Sequence, residues 1–423
     1  MQRITIGAFL CTLLSGGILF MLTPKEVMSI DEKRALAQIP QFSLEAVFKG
    51  TYFQNLDSFV ADNFIYRKQL SEIAAFLKML RGSPIDDIQV IVQEKKPNIP
   101  VEKSPLETPQ LKMELVSNQT TVEKFENEPY ENVESIIIFK GRAIQMIGVS
   151  EKSLRPLSKV INEYKEQFGN QLKIYFMAFP IGADFYLPKK ITRGAQKERY
   201  LIDQMHAQLS EDIIKVDVYN ALVPHQDDYI YFKTDHHWTG LGAYYAFDAF
   251  TKVAQLEGLP LSSLTKKTIP NYLGSLYQRT ESPTLRASAD VVEYYKIPNS
   301  TKTTIYNHVK DSGNKASLYA EYARGSLGYG VFLGGDFPLM KITSDIKNGQ
   351  KILVIKDSYG NAFAPYLASR YEETYVIDYR YFKGNIKQLI QDNGIQNMIF
   401  AHNTFVIQNP YTAKQARQFL NQN

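Results

Sequence analysis

The chain of 423 residues has one cysteine, Cys11. An intramolecular disulfide and a zinc–cysteine cluster are therefore excluded. Cys11 lies in an apolar N-terminal run, so a cysteine nucleophile in a soluble domain is excluded as well. Histidine is scarce, with six residues, and Trp238 is the only tryptophan. Charge of one sign is also lacking: 48 basic and 44 acidic residues leave +4, with no long basic run. Nothing here suggests a nucleic-acid partner. What is present is ordinary for a globular protein, 44% hydrophobic and 22% charged residues, in a chain long enough for a large core with appendages. The 27 tyrosines and 24 phenylalanines read first as core packing and second as a sugar-binding surface.

Arg3 precedes an apolar run at 4–22 that is interrupted only by glycine, serine and threonine. As a helix it would span roughly 28 Å, about one hydrocarbon core. Arg3 and the amino terminus favour a cytoplasmic start and place the bulk of the chain outside. Thr23-Pro24-Lys25 offers no small-x-small cleavage pattern. The expectation is an uncleaved signal anchor at 1–23, with a cleaved signal peptide as the alternative.

Residues 24–92 carry helical apolar spacing and read as a membrane-proximal helical segment, stopped by Arg81-Gly82-Ser83-Pro84. Residues 93–130, rich in Pro, Glu, Lys and Asn, read as a linker or loop. From 131 to 423 strands and helices alternate. A hairpin turns at Lys140-Gly141-Arg142; helices are expected at 154–168, 196–209, 240–256, 362–371 and 385–393. Strands are expected at 172–178, 213–218, 351–355, 373–379 and 396–400. This rhythm implies an α/β fold, a parallel sheet with helices on both faces. Residues 258–345 break the rhythm and are expected as an insertion near the site.

Chemistry concentrates at Asp235-His236-His237-Trp238. In an extended backbone Asp235 and His237 share one face and His236 takes the other. A carboxylate can there orient an imidazole, as in a Ser-His-Asp relay. A metal site and a plain polar corner are the alternatives at this stage. Ser358 sits on a turn between an apolar strand and a helix, where backbone N–H groups can meet a developing oxyanion. Serine needs an imidazole to act as a nucleophile, and His237 is the candidate base. Lys310-Asp311-Ser312 repeats the tripeptide at Lys356 without an apolar strand before it, so the strand–turn–helix setting is the signal. Sites in open α/β sheets form beyond the carboxyl ends of the strands. Arg380 and Asn403 stand at two such ends as candidate donors, and Trp238 is a candidate sugar platform or packing residue. A metal-dependent phosphoesterase needs further Asp or His ligands at strand ends, and no Asp-x-Asp cluster accompanies the motif. No metal or other cofactor is therefore expected.

Asp-x-His-Trp, then strand–Asp-Ser–helix, then strand–Asp-x-Arg, then strand–x-Asn resembles a rearranged form of the SGNH hydrolase superfamily. The DHHW proteins and the alginate O-acetyltransferase group of the AlgX and AlgJ type are the nearest look-alikes. Gly50-Thr51-Tyr52-Phe53 and Asp62-Asn63-Phe64-Ile65-Tyr66-Arg67 resemble that group's membrane-proximal pattern. The resemblance implies a three-layer SGNH-like sheet with Ser358 as nucleophile, His237 as base and Asp235 as its orienting acid. It further implies Asn403 and Arg380 as oxyanion or substrate donors. Lys356 departs from the pattern, which has glycine there. The implied activity is extracytoplasmic acyl transfer to or from a polysaccharide hydroxyl, beside a membrane-bound O-acyltransferase. A non-catalytic carbohydrate-binding or scaffold component is the alternative from another class.

Overall fold

Alternation of apolar side chains between two faces sets the architecture. In the computed structural model, Ile352 and Val354 of one strand enter one core while Leu353 and Ile355 enter the core on the opposite face. Tyr175, Met177 and Phe179 divide from Ile174, Phe176 and Ala178 in the same way. A strand that is apolar at every position has to be covered on both sides.

The structure describes residues 130–133, 135–308 and 312–421, preceded by 42–48, 50–64 and a few positions between 20 and 40. The anchor expected at 1–23 and the linker expected at 93–130 lie outside the described residues apart from Phe20, Thr23 and Tyr130. Among the described residues no helix is long and apolar enough to cross a membrane. The chain divides into two compact units, Met1–Pro84 with Glu281–Pro283, and Ile85–Thr280 with Thr284–Asn423. Within the first, helix α1 (Thr51–Asn63) follows Gly50 in a left-handed conformation.

The second unit opens with an antiparallel sheet of β1 (Tyr130–Val133), β2 (Ile136–Phe139) and β3 (Arg142–Gln145). Lys140 and Gly141 both have positive φ, 50° and 71°, which suits a two-residue hairpin turn. The central strands follow: β4 (Lys173–Phe179), β5 (Ile214–Val216), β8 (Thr301–Tyr306), β9 (Asn314–Ala316), β10 (Leu339–Ser344), β11 (Lys351–Lys356), β12 (Glu373–Asp378) and β13 (Asn397–Asn403). They form one sheet in the order β9-β8-β10-β12-β11-β13-β4-β5. Helices α4 (Gly240–Val253) and α5 (Gly360–Leu367) supply one core. Helices α2 (Glu151–Phe168), α3 (Lys197–Gln208), α6 (Ile386–Asn393) and α7 (Pro410–Asn421) supply the other.

The sheet is mixed, which corrects the expectation of a parallel one. The pairs within β12-β11-β13-β4-β5 are parallel, and those joining β12, β10, β8 and β9 are antiparallel. The physical reason lies in the connections. β10 and β11 flank β12, and only residues 345–350 join them, too few for the long crossover that would set them parallel. Residues 258–345 thus lengthen the sheet, and they also form a separate ribbon of β6 (Thr265–Tyr272) and β7 (Asp290–Lys296).

Register aligns the ends that matter. Lys356 pairs with Asp378 on one side and Ala401 on the other, and Asn403 pairs with Phe179. Helix α4 starts hard against its neighbours: a Cβ on Gly242 would lie 2.4 Å from the Ile230 carbonyl oxygen. Gly242→Ala gains about 1 kcal/mol of helix propensity but forces a backbone to move, at about 1–3 kcal/mol. A net fall in thermal stability is expected, measured against Gly258→Ala, which meets nothing within 4 Å.

Candidate active site

A short loop brings the acid and the imidazole together. Tyr231 and Trp238 bridge across it, with the Phe232 amide donating to the His237 carbonyl at 3.3 Å. Thr239 then caps α4, its hydroxyl accepting from the Gly242 amide at 3.3 Å. Within the loop the backbone bends. Asp235 Oδ1 accepts from the His237 amide at 2.9 Å, an Asx turn, and contacts His237 Nδ1 at 2.6 Å. The extended backbone read from the sequence is replaced by this turn. The consequence is visible at His236, which does not take the opposite face. Its ring lies 3.8 Å from that of His237, and its Nδ1 is 2.5 Å from Ser275 Oγ.

His237 Nε2 lies 2.7 Å from Ser358 Oγ. Asp235, His237 and Ser358 therefore form one hydrogen-bonded chain across 121 residues of sequence. Two donors hold the other carboxylate oxygen: Tyr272 Oη at 2.8 Å and the Ser275 amide at 2.7 Å. Burial pushes Asp235's carboxyl up. Electrostatic attraction to the His237 and His236 side chains, and hydrogen bonds from His237 and Ser275, outweigh it and hold the group well below the usual carboxylate range. Asp235 thus stays ionised, which is the state that orients an imidazole.

Tyr329 links base and serine. Its ring stacks on His237 at 3.9 Å, and its hydroxyl donates to the Ser358 carbonyl at 2.8 Å. Trp238 Nε1 donates to the Tyr359 carbonyl at 2.9 Å, and Tyr359 Oη donates to the His236 carbonyl. Trp238 is fully buried. That corrects its reading as a sugar platform in favour of packing: its indole ties the serine turn to the histidine loop.

Asn403 and Arg380 divide. Asn403 Oδ1 accepts from the Phe405 and Val406 amides at 2.9 and 3.1 Å. Those bonds fix the amide plane and leave Nδ2 without a protein partner among the described residues. The Asn403 amide donates to Asp357 Oδ2 at 2.7 Å, joining the ends of β13 and β11. The Ser358 amide likewise makes no hydrogen bond among the described residues. Arg380 instead spends its guanidinium on Asp378, at 2.8 and 2.7 Å, and on Asp336, at 2.7 Å. It makes no polar contact with the relay. Lys356, in the glycine position of the pattern, is buried and reaches both Asp336 and Asp378 at 2.8 Å. Burial pushes its ammonium down, but the two carboxylates outweigh that and raise it. Its side chain needs the adjacent glycine, since a Cβ on Gly360 would sit 2.5 Å from Lys356 Cβ.

Asp235, His236 and His237 offer ligand atoms within 4.8 Å of one another. The donor set fits a metal poorly, because Asp235 Oδ1 and His237 Nδ1 face each other and His237 Nε2 faces Ser358. Sequence reasoning missed Tyr272, Ser275, Tyr329 and Asp336. None lies in a motif, and only Gly274, whose Cβ would meet Asp235 Cβ at 2.3 Å, marks the close approach.

The model of the DHHW protein family matches residues 103–377. The chain belongs to the DHHW family. A crystal structure of a DHHW family protein from Eubacterium siraeum is 31% identical, covering 67% of this chain and 94% of that one, with a TM-score of 0.61. Bacillus cereus PatB1 with a sulfonyl adduct is 18% identical over 65% of this chain and 96% of that one, TM-score 0.55. The O-acetyltransferase domain of Pseudomonas putida AlgJ is 15% identical over 67% and 96%, TM-score 0.38. No curated protein matches. The matched region includes the loop that carries Asp235, His236, His237 and Trp238, whose one-letter codes spell the family's name.

Beneath the site, neither ring nitrogen of buried His402 has a hydrogen-bond partner among the described residues, and Nδ1 lies 3.8 Å from Asp357 Oδ2. Burial pushes its imidazole down to about 3, and pushes the carboxyl of Asp357 up to about 6 against hydrogen bonds from the Asn403 and Tyr359 amides. A lowered histidine loses stability as pH falls from about 6.5 towards 3, because only the unfolded chain takes the proton. A raised carboxyl acts oppositely, losing stability as pH rises from about 4 to 6. His402→Phe removes the first contribution. Relative to the parent it should gain on the order of 2 kcal/mol between pH 7.5 and pH 4.5, read from urea melts. A pH-independent difference would contradict a buried neutral imidazole.

Proposed function

We propose that this DHHW protein is a serine-dependent O-acyltransferase or esterase that modifies a cell-surface or secreted polysaccharide. The observation that carries the reading is the Asp235–His237–Ser358 chain, with contacts of 2.6 and 2.7 Å. His237 Nε2 takes the Ser358 proton as Oγ attacks the acyl carbonyl, while Asp235 accepts from Nδ1–H and balances the imidazolium. The serine amide and Asn403 Nδ2, both without protein partners among the described residues, are the candidate oxyanion donors. The tetrahedral intermediate collapses to acyl-serine as the donor's C–O bond breaks, and His237 returns the proton to the leaving oxygen. A sugar hydroxyl, or water in the esterase case, then repeats the sequence at the acyl carbon. The Lys356–Asp336–Asp378–Arg380 cluster holds the turn behind the serine, and Arg380 is assigned there.

The carbohydrate reading rests on the resemblance of the chain's motifs to the alginate O-acetyltransferase group, and the sulfonyl adduct of PatB1 supports testing for a nucleophile. Placement outside the cytoplasm, anchored by residues 4–22 and served by a membrane-bound O-acyltransferase, belongs to the same proposal. It rests on the apolar run after Arg3.

A sulfonyl fluoride should label Ser358 and no other serine, as located by peptide mass spectrometry. Ser358→Ala should abolish labelling, and His237→Gln should slow it by about 10⁴ or more, the scale of loss when a triad is broken. Equal labelling of all three proteins would refute the mechanism and favour a scaffold. Gly274→Ala pushes a Cβ to 2.3 Å from Asp235 Cβ and displaces the carboxylate. Its labelling rate should fall at least about tenfold with the fold retained, as seen by circular dichroism.

A further inference from the structure

A buried tyrosine lies face-on against the base. The Tyr329 ring is 9° from parallel with that of His237, with 3.9 Å between centroids. The His236 ring lies 3.8 Å from His237 on a tilt of 37°. Two rings this near cannot share one face of an imidazole, because their atoms would overlap. His237 is therefore covered above and below, and its edges make the polar contacts, Nδ1 with Asp235 and Nε2 with Ser358.

The turn Gly325–Val331 holds Tyr329 in this place. The Tyr329 carbonyl accepts from the Phe332 amide at 3.2 Å, and the Val331 carbonyl from the Ala320 amide at 2.8 Å. Gly328 lets the turn lie on Tyr272, the donor to Asp235, since a Cβ there would sit 3.0 Å from the Tyr272 ring. Burial, with Asp235, Asp336 and Asp357 nearby, pushes the Tyr329 phenol well above its ordinary range. The ring thus stays neutral, and Oη remains the donor to the Ser358 carbonyl at 2.8 Å.

The face of a neutral aromatic ring is its negative part, and pairs packed only for cover prefer centroids about 4.5–7 Å apart. Tyr329 is closer to His237 than that. While Nε2 accepts from Ser358 Oγ, the imidazole is neutral and gains little from a negative face. Once Nε2 takes the serine proton, positive charge spreads over the ring that faces Tyr329, and the attraction grows. An interaction stronger in the transition state than in the ground state accelerates the reaction.

We propose that Tyr329 is a positioning residue of acyl transfer: its ring face stabilises the imidazolium formed on His237, and its hydroxyl keeps the serine main chain in register with that base. The proposal rests on the serine reading, because the Ser358 proton is what charges the ring during the reaction. The titratable and charged groups facing His237 are Asp235 and His236 on its own loop, and Tyr329 and Tyr359 on the elements packed against it.

The test keeps the shape of the ring and changes its charge distribution. Tyr329→Phe removes only the hydroxyl. A phenylalanine with fluorine in place of its ring hydrogens, inserted at the same position, also removes the negative face. Sulfonyl fluoride labelling of Ser358 is then followed across pH. Tyr329→Phe should label about two- to tenfold more slowly than the parent, with the profile unmoved along the pH axis. The fluorinated ring should cost about fivefold more. It should also move the acid limb to lower pH by about half a unit or more, because the imidazolium holds its proton less tightly. Equal rates and coincident limbs for the two rings are what packing alone predicts, and they overturn the proposal. If the fluorinated protein fails to fold, Tyr329→Leu covers the same face without an aromatic ring and should show the same loss and the same shift. Proton uptake by His237, read by nuclear magnetic resonance of ring-labelled histidine in Ser358→Ala, needs no reaction. Its midpoint should fall with the fluorinated ring. An unmoved midpoint refutes the role of the ring, whereas a parent that does not label at Ser358 refutes the serine reading, so the two fail separately.

Discussion

The contact between His237 Nε2 and Ser358 Oγ is the constraint on which the rest of this structure depends. It joins a bent loop before α4 to a turn after β11, and neither segment can hold the other alone. Trp238 grips the Tyr359 carbonyl, Tyr359 grips the His236 carbonyl, and Tyr329 touches both His237 and the Ser358 carbonyl. Small shifts in either segment break such a relay, because a hydrogen bond weakens steeply with distance and angle. That accounts for the density of buried aromatic side chains here. They are fixed by packing and each brings one polar handle.

A second layer of polar bonds holds this layer. Asp290 accepts from the Lys233 and Thr234 amides at 2.8 and 2.7 Å, which pins the start of the loop to β7. Asp357 accepts from the Tyr359 and Asn403 amides at 2.8 and 2.7 Å, which pins the serine turn to the end of β13. Lys356, Asp336, Asp378 and Arg380 close the underside as two cations and two anions. Paired charges of this kind can be buried, whereas any one of them left alone would cost several kcal/mol. A lysine can therefore replace the usual glycine of the serine block, provided Gly360 leaves room for its stem.

Much of this was legible in the sequence. The strands at Lys173–Phe179 and Lys351–Lys356 carry uninterrupted apolar runs at 174–179 and 352–355, and the helix Glu151–Phe168 carries its apolar residues on one face. The candidate relay was legible because Asp235, His237 and a serine on a strand–turn–helix are local signals. The supports were not. Tyr272, Ser275, Tyr329 and Asp336 fall in the irregular stretch 258–345, where no period marks a buried position. Arg380 has the right place in the chain, but two carboxylates take its guanidinium. Trp238 has the right neighbours, but its indole faces inward.

The sequence by itself determined the element order, the apolar strands that need cover on both faces, and which few residues can carry acyl chemistry. Those properties follow from side-chain type and short-range period. Only the tertiary structure decided that the sheet is mixed, that Asp235 and His237 meet through a turn, and that two carboxylates take the Arg380 guanidinium. Each of these depends on partners distant in sequence, Arg380 with Asp336 and Asp235 with Tyr272 among them. Pairing over such distances is set by which surfaces the folded chain brings together, and no local pattern encodes it.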